Sequence, residues 1–280
     1  MHYFTASDGA RIAYRDSGSG TPIVLLHGLM AHGGFFDGQA ALADRFRLIA
    51  IDLRGHGDSA AVAGEAPGVE RMAADVAELA GALGLEGAIG LGWSLGATVL
   101  WHVLAGPAAR RFAGAVVVDM TARVKNDAEW DLGLSPEACE ARSIAIRDDF
   151  ESFALTAGQA IFAQPVAPAH RALADWASRE FARNDAQAMA AVWASLVRQD
   201  MRALLDRIQH PTLIVHGGRS ELYGEDTASH LVAALPDARA VRFENSGHAP
   251  HLEEPELFNA TLTDFADSLS LARTIQNSHS

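Results

Sequence analysis

The sequence Gly92-Trp93-Ser94-Leu95-Gly96 lies between a short apolar run at residues 88–91 and a segment with helical character at residues 95–104. The apolar run predicts a buried strand. The pentapeptide has the pattern G-x-S-x-G, in which a serine lies on a sharp turn from a strand into a helix. Ser94 would stand at the N-terminus of that helix, where free N–H groups favour negative charge. The pattern therefore indicates a nucleophile, and the alternative is a serine that only caps the helix.

Outward from this stretch, short apolar runs alternate with helical segments, which is typical of a parallel sheet with crossover helices. Strands are predicted at residues 3–5, 11–15, 22–26, 47–51, 114–118, 212–215 and 240–243, and further helices at residues 69–83 and 255–269. The fold class is therefore α/β, with a mostly parallel central sheet flanked by helices.

The alternation stops between residues 121 and 205. This segment shows no buried-strand pattern and predicts several short amphipathic helices. We expect an α/β core at residues 1–120 and 206–272 and a helical cap insertion at residues 121–205. The cap would cover the carboxyl ends of the strands, where open α/β sheets bind ligands. The polar residues 273–280 predict a frayed tail.

A serine hydroxyl becomes a good nucleophile only when a base removes its proton, and histidine is the usual base. The chain has 12 histidines. His248 is the candidate because Ser246-Gly247-His248-Ala249-Pro250-His251 follows the last predicted strand and can reach a serine at the top of the sheet. His251 is its local competitor, which we interpret as a loop or helix-start residue.

Two backbone N–H groups are candidates for binding a developing oxyanion. The N–H of Leu95 follows Ser94 directly, and the loop His27-Gly28-Leu29 can direct the N–H of Leu29 to the same oxygen. Two such donors would each contribute on the order of 3 kcal/mol to barrier lowering. We assign the His27 side chain to shaping the loop.

Together, these motifs resemble the α/β-hydrolase superfamily in order and spacing: His27-Gly28, Asp52-Leu53-Arg54-Gly55-His56-Gly57-Asp58-Ser59, Gly92-Trp93-Ser94-Leu95-Gly96 and Gly247-His248-Ala249-Pro250. The resemblance implies the α/β-hydrolase fold of a serine esterase-like branch with a helical cap, covering nearly the whole chain outside that cap. It also implies that the segment 52–59 is a structural turn near the site.

The same resemblance implies a carboxylate that orients the histidine, in most members an Asp just beyond the strand that follows the cap. This sequence has Ser220 at that position. Asp119 is our preferred acid, because it ends the buried strand 114–118 and some branches place the acid there; capping the next segment is its alternative role. Glu221, next to the usual position, is the alternative acid, and Asp226 ranks third.

Composition excludes several classes of protein. The net charge of −13 argues against nucleic-acid binding. The single cysteine, Cys139, allows no internal disulfide or cysteine metal cluster, and we expect it to be a packing residue. No signal peptide and no apolar run of about 20 residues is visible, so a cytoplasmic location is expected. No metal or cofactor motif is present, and no cofactor is expected.

The leading hypothesis is hydrolysis of a small-molecule acyl ester, thioester or lactone through an acyl-enzyme. Cofactor-free haloperoxidase, perhydrolase or acyltransferase chemistry on the same residues is an alternative, and so is a receptor that retains the pocket without catalysis. Trp93 makes the pentapeptide similar to that of the pimeloyl-carrier methyl ester esterases, but these have the Asp that is missing at Ser220. Aromatic residues of the cap favour an apolar acyl pocket, although core packing is the expected use of most.

Overall fold

An eight-stranded sheet runs through the centre of the protein in a computed structural model that describes residues 1–59 and 66–278, with side chains as far as residue 271. The strands are β1 His2–Thr5, β2 Arg11–Ser17, β3 Thr21–Leu26, β4 Phe46–Ile51, β5 Ala88–Trp93, β6 Phe112–Val118, β7 Thr212–Gly217 and β8 Ala238–Phe243. Their spatial order is β1-β2-β4-β3-β5-β6-β7-β8. The pairs β1–β2 and β2–β4 are antiparallel, and the remaining pairs are parallel.

The central strands are nearly continuous apolar runs. Every residue of β5 and β7 is buried, as expected for parallel strands covered on both faces. The register pairs Leu26 with Gly92, Trp93 with Val118, and Val118 with Val215. The carboxyl ends of β3, β5, β6 and β7 therefore lie at one edge of the sheet, and the loops that follow them meet there.

Eight helices lie in connections between strands, and two more, α9 and α10, follow β8 in the described part of the chain. They are α1 Val69–Ala82, α2 Leu95–Ala105, α3 Pro136–Asp148, α4 Phe150–Ala160, α5 Arg171–Ala182, α6 Ala186–Val197, α7 Arg202–Leu205, α8 Glu225–Ala234, α9 Pro250–Glu253 and α10 Pro255–Ser278. Short 3₁₀ segments lie at Gly33–Asp44, Pro107–Arg111 and Pro168–His170. Helices α3 to α7 all lie between β6 and β7, in the segment predicted to be the cap.

The predicted fold class is confirmed, and each predicted strand is present within a few residues of its expected bounds. The sequence interpretation missed α8 and the 3₁₀ segment Gly33–Asp44, which are short and lack a strong helical repeat of apolar residues. The last helix continues past the predicted end at residue 269 to Ser278. It therefore includes most of the predicted tail, whose residues 279 and 280 lie outside the described residues.

Candidate active site

Ser94 occupies a strained position between β5 and α2. Its φ and ψ of 53° and −120° lie in a region that residues other than glycine rarely adopt. A Cβ on Gly96 would overlap the carbonyl oxygens of Leu26 and His27, and a Cβ on Gly92 would overlap the backbone of Gly96 and Ala97. Both glycines of the G-x-S-x-G pattern are therefore needed for this close turn. The Ser94 N–H donates to the Val118 carbonyl at 3.0 Å, which ties the turn to β6.

Asp119, directly after β6, lies behind the imidazole of His248. Its Oδ1 is 2.8 Å from His248 Nδ1, and both side chains are buried. Asp119 also has a positive φ of 46°, so the chain turns sharply where β6 ends. Its N–H donates to the Val215 carbonyl at 2.8 Å, and its Oδ2 accepts from the Gly217 N–H at 3.1 Å. The carboxylate is thus held by β7 as well as by its own strand.

Ser220, where the family pattern has Asp, contacts the same carboxylate. Its hydroxyl donates to Asp119 Oδ1 at 2.9 Å. The N–H groups of Leu222 and Tyr223 lie 3.3 Å and 3.5 Å from the Ser220 oxygen. At the position where the family pattern has an acid, this chain therefore has the Ser220 hydroxyl, which binds the Asp119 carboxylate at the end of β6.

Of the three candidate acids, only Asp119 pairs with His248 among the described residues. Glu221 is exposed to solvent, although it lines the same cavity as His248. Asp226 is exposed in the first turn of α8. Among the described residues, the partners of the Asp119 carboxylate are Gly217, Ser220 and His248. None of them is an N–H group of the segment directly after Asp119, which capping of that segment would require.

Two contacts that sequence reasoning missed hold the loop that carries His248. The indole N–H of Trp93 donates to the His248 carbonyl at 2.8 Å. The Gly247 N–H donates to Glu253 Oε1 at 2.6 Å. The other carboxylate oxygen of Glu253 accepts from the Ala163 N–H of the cap at 2.9 Å. Trp93 lies inside the motif that identified Ser94. The motif does not indicate that the indole binds a residue 155 positions away.

The loop after β3 lies directly against the serine. A Cβ on Gly28 would be 3.3 Å from Ser94 Cβ, so only glycine allows this approach without a shift. Leu29 lines the cavity beside Ser94. The N–H of Leu95 belongs to the first turn of α2, whose N–H groups have no acceptor within the helix. Both predicted oxyanion donors are thus in loops or helix ends that adjoin Ser94.

His27 is a structural residue. Its Nδ1 lies 2.7 Å from the Gly28 carbonyl and therefore carries the proton, while Nε2 accepts from the Leu53 N–H at 2.9 Å. Burial lowers the pKa of His27 to about 3, so the ring is neutral at physiological pH. These bonds join the oxyanion loop to the segment after β4.

The segment 52–59 is also structural, as the resemblance implied. Asp52 accepts from the N–H groups of Gly33 at 2.7 Å and Asp58 at 2.9 Å. Arg54 is buried and forms a two-bond ion pair with Asp75 of α1. These contacts hold the loops that lie near the site.

A cavity of about 300 Å³ lies between the cap and the carboxyl edge of the sheet, and its surface is mostly apolar. The core contributes Ser94 and His248, and the cap contributes Arg142 of α3 and the aromatic side chains Phe153, Phe181 and Trp193. Elsewhere in the cap, Phe162 is buried in the core, and Phe150 and Trp176 are partly buried against it. Serine, histidine and an apolar surface thus share one cavity.

His251 and Cys139 do not belong to this site. His251 is buried in α9 against Trp93 and Phe36, and burial lowers its pKa to about 3. Cys139 is buried in α3, where burial raises the pKa of its thiol and so disfavours the reactive thiolate.

Across the described part of the chain, no group of three or more His, Cys, Asp or Glu side chains is arranged to hold a metal ion. In the same residues, no helix combines the length and apolar character needed to cross a bilayer.

The chain matches the sequence profile of the alpha/beta hydrolase family over residues 23–261. It is 30% identical to a pimeloyl-[acyl-carrier protein] methyl ester esterase from Chromobacterium violaceum, over 90% of this chain and 96% of that protein. It is also 30% identical to a non-heme haloperoxidase from Rhodococcus erythropolis, over 96% of this chain and 100% of that protein. Among solved structures, an esterase from Exiguobacterium antarcticum superimposes with a TM-score of 0.89 at 26% identity, over 95% and 98% of the two chains.

Proposed function

The chain belongs to the alpha/beta hydrolase family, and we propose that it is a serine esterase in which Ser94, His248 and Asp119 form the catalytic triad. The observation that carries this proposal is the 2.8 Å contact between His248 Nδ1 and Asp119 Oδ1, behind an imidazole that shares a cavity with Ser94. Ser94, half-buried at a positive φ of 53°, lines that cavity, where a substrate can reach it.

In the proposed mechanism, the Asp119 carboxylate accepts a hydrogen bond from Nδ1–H of His248. This bond leaves Nε2 free of its proton and able to act as the base, and it stabilises the imidazolium that forms. His248 takes the proton of the Ser94 hydroxyl as the oxygen attacks the ester carbonyl. The alcohol then leaves with that proton, and an acyl-Ser94 ester remains.

The negative oxygen of the tetrahedral intermediate would be bound by the N–H groups of Leu29 and Leu95. Both stand beside Ser94, and the Leu95 N–H also carries the partial positive charge of the start of α2. Water activated by His248 then attacks the acyl-enzyme, and Ser94 is regenerated.

The substrate class that fits is a small acyl ester, thioester or lactone. A cavity of about 300 Å³ lies at the lower end of the range for small-molecule sites. Its apolar surface suits an aliphatic or aromatic acyl group. The esterase relatives support the ester bond as the point of attack.

A second candidate function uses the same acyl-enzyme. If hydrogen peroxide replaces water in the deacylation step, its oxygen attacks the acyl carbonyl, and the product is a peracid. The relative named as a non-heme haloperoxidase favours this candidate. Incubation with acetate, peroxide and bromide, followed by halogenation of a dye, would detect it.

The experiment that tests the proposed function combines labelling with turnover. We expect a fluorophosphonate probe to label the protein at Ser94, and p-nitrophenyl esters of increasing acyl length to be hydrolysed. Both signals should disappear in Ser94→Ala. A folded wild-type protein that neither takes up the probe nor hydrolyses any ester of the series would contradict the proposal and favour a receptor.

We also propose that the protein acts in the cytoplasm on a small molecule and does not bind nucleic acid. The acidic net charge of −13 supports the second part. Fractionation of cells that express the tagged protein tests the first.

A further inference from the structure

Arg142 brings a positive charge into a cavity whose surface is otherwise mostly apolar. It lies on α3 of the cap and lines the same space as Ser94 and His248. Arg142 is half-buried, and a charge that loses part of its hydration is stabilised when an anion or several acceptors bind it. The placement of this guanidinium therefore raises the question of which group it binds.

Within the described part of the chain, Arg142 forms no hydrogen bond, and no carboxylate lies within 4.0 Å of its guanidinium nitrogens. Arg147, five residues further along the same helix, is exposed and pairs with Asp148 at 2.8 Å. The neighbour of Arg142 is instead the Trp193 ring, whose centroid is 5.8 Å from the guanidinium carbon. This distance is within the range of a cation–π contact, which leaves the N–H donors of the guanidinium available for an anion.

The helix that carries Arg142 is hydrogen-bonded to α6. The Trp193 indole N–H lies 3.0 Å from the Ser143 hydroxyl and 3.4 Å from the Cys139 carbonyl, both on α3. These bonds join α6 to the helix that carries Arg142. Because the two helices are tied together, the backbone of Arg142 is held in place, and ligand binding has to order only its side chain.

Glu221 is the group of opposite charge in the same cavity. Glu221 lies on the side of the cavity formed by the α/β core, is exposed to solvent, and forms no ion pair with Arg142. The field of Arg142 does reach the catalytic end: burial raises the pKa of the Tyr223 phenol, and the charge of Arg142 acts in the opposite direction. The Tyr223 ring centre is 6.0 Å from that of His248. The positive charge therefore acts within the space that the acyl group would occupy.

From these observations we infer that Arg142 binds a carboxylate on the acyl part of the substrate, so that the preferred substrates are esters of dicarboxylic acids with one free carboxylate. This inference rests on the proposed function. The planar guanidinium can form two parallel hydrogen bonds with a carboxylate, which provides orientation as well as affinity. The apolar residues between Arg142 and Ser94 contact the methylene groups, while the ester carbonyl lies at Ser94.

The test compares two esters of equal acyl length. Mono-p-nitrophenyl adipate carries a terminal carboxylate, and p-nitrophenyl hexanoate ends in a methyl group. We expect Arg142→Met, which retains apolar bulk, to lower kcat/KM for the adipate ester by about 10- to 100-fold. The value for the hexanoate ester should stay within about threefold. Rates are corrected with Ser94→Ala for spontaneous hydrolysis.

Arg147→Met is the matched control, because it removes the same charge from the same helix outside the cavity. It should leave both esters unchanged. Equal losses on both esters in Arg142→Met, or no loss on either, would overturn the inference. A parallel Arg142→Gln variant separates loss of charge from a packing defect, since it should show the same selective loss.

Binding without turnover separates this inference from the proposed function. Adipate should bind to Ser94→Ala in calorimetry, and the affinity should fall about 10-fold or more when Arg142→Met is added. If ester hydrolysis fails but adipate binding depends on Arg142, the esterase proposal is wrong and the carboxylate site stands. If hydrolysis succeeds and adipate binding is unaffected by Arg142→Met, the carboxylate site is wrong.

Discussion

The Ser220 hydroxyl donates a hydrogen bond at 2.9 Å to Oδ1 of Asp119, the same oxygen that lies 2.8 Å from His248 Nδ1. The residue at the usual position of the acid thus supports an acid contributed by β6. The register of β6 and β7, which pairs Val118 with Val215, brings the two strand ends together and makes this arrangement possible.

Asp119→Asn should lower kcat by about 10³- to 10⁴-fold, because an amide cannot hold the required tautomer or stabilise the imidazolium. Glu221→Gln should change kcat less than about threefold, since Glu221 is exposed and forms no bond with His248. Steady-state hydrolysis of one p-nitrophenyl ester measures both. The reverse order of effects would show that Glu221 is the acid.

Ser220→Ala should lower kcat/KM by about 10-fold, the cost of one hydrogen bond to a charged group. Ser220→Thr retains a hydroxyl and should stay within about threefold of the wild type. The two variants are compared in the same ester assay. A loss in Ser220→Ala as large as that in Asp119→Asn, or no loss, would contradict a supporting role.

Trp93→Phe should lower kcat by about 10-fold, because it removes the N–H that binds the His248 carbonyl and leaves that carbonyl unpaired. Trp101→Phe is the matched control: Trp101 is equally buried, in α2, and its indole nitrogen has no partner in the described structure. A shifted pH profile of kcat only in Trp93→Phe would indicate that His248 is mispositioned. Equal kinetics in both variants would show that packing alone matters.

The sequence was sufficient to predict the sheet and two of the three candidate catalytic residues with their loops. The strand runs are continuous and apolar, and Ser94 and His248 lie in motifs whose local spacing carries the information. For the acid, the sequence favoured Asp119 but left Glu221 as an alternative, because both follow a buried strand and the choice depends on side-chain direction.

Other parts of the site have no local signal. The bond of Trp93 to His248 joins residues far apart in the chain, and a tryptophan beside a buried strand is equally well explained by packing. Arg142 lies among several charged residues of α3, and only the packing of α3 against α6 determines that it is the one that lines the cavity. The roles of such residues are set by tertiary contacts, which the spacing of residues in the sequence does not reveal.

Glu253 is a buried carboxyl group between the cap and the His248 loop. Burial raises its pKa to about 7, against the bonds it accepts from the Ala163 and Gly247 N–H groups, which lower it. The charge of Glu254 acts with burial, and that of Arg219 acts against it. His170 of the cap also faces the group, with Nδ1 at 3.8 Å from Oε2.

A carboxyl group whose pKa is higher in the folded than in the unfolded protein binds its proton more tightly when folded. Its contribution to stability is therefore fully present below about pH 4.5 and is lost as the pH rises through about 7. Glu253→Gln has no such titration, so the free energy of unfolding of the wild type should fall relative to this variant between pH 5 and pH 8. Urea unfolding at four pH values in this range measures the difference, with the exposed Glu256→Gln as the control whose difference from the wild type stays constant. A difference for Glu253→Gln that does not change with pH would show that the carboxyl is already ionised throughout, because the two N–H bonds then outweigh burial.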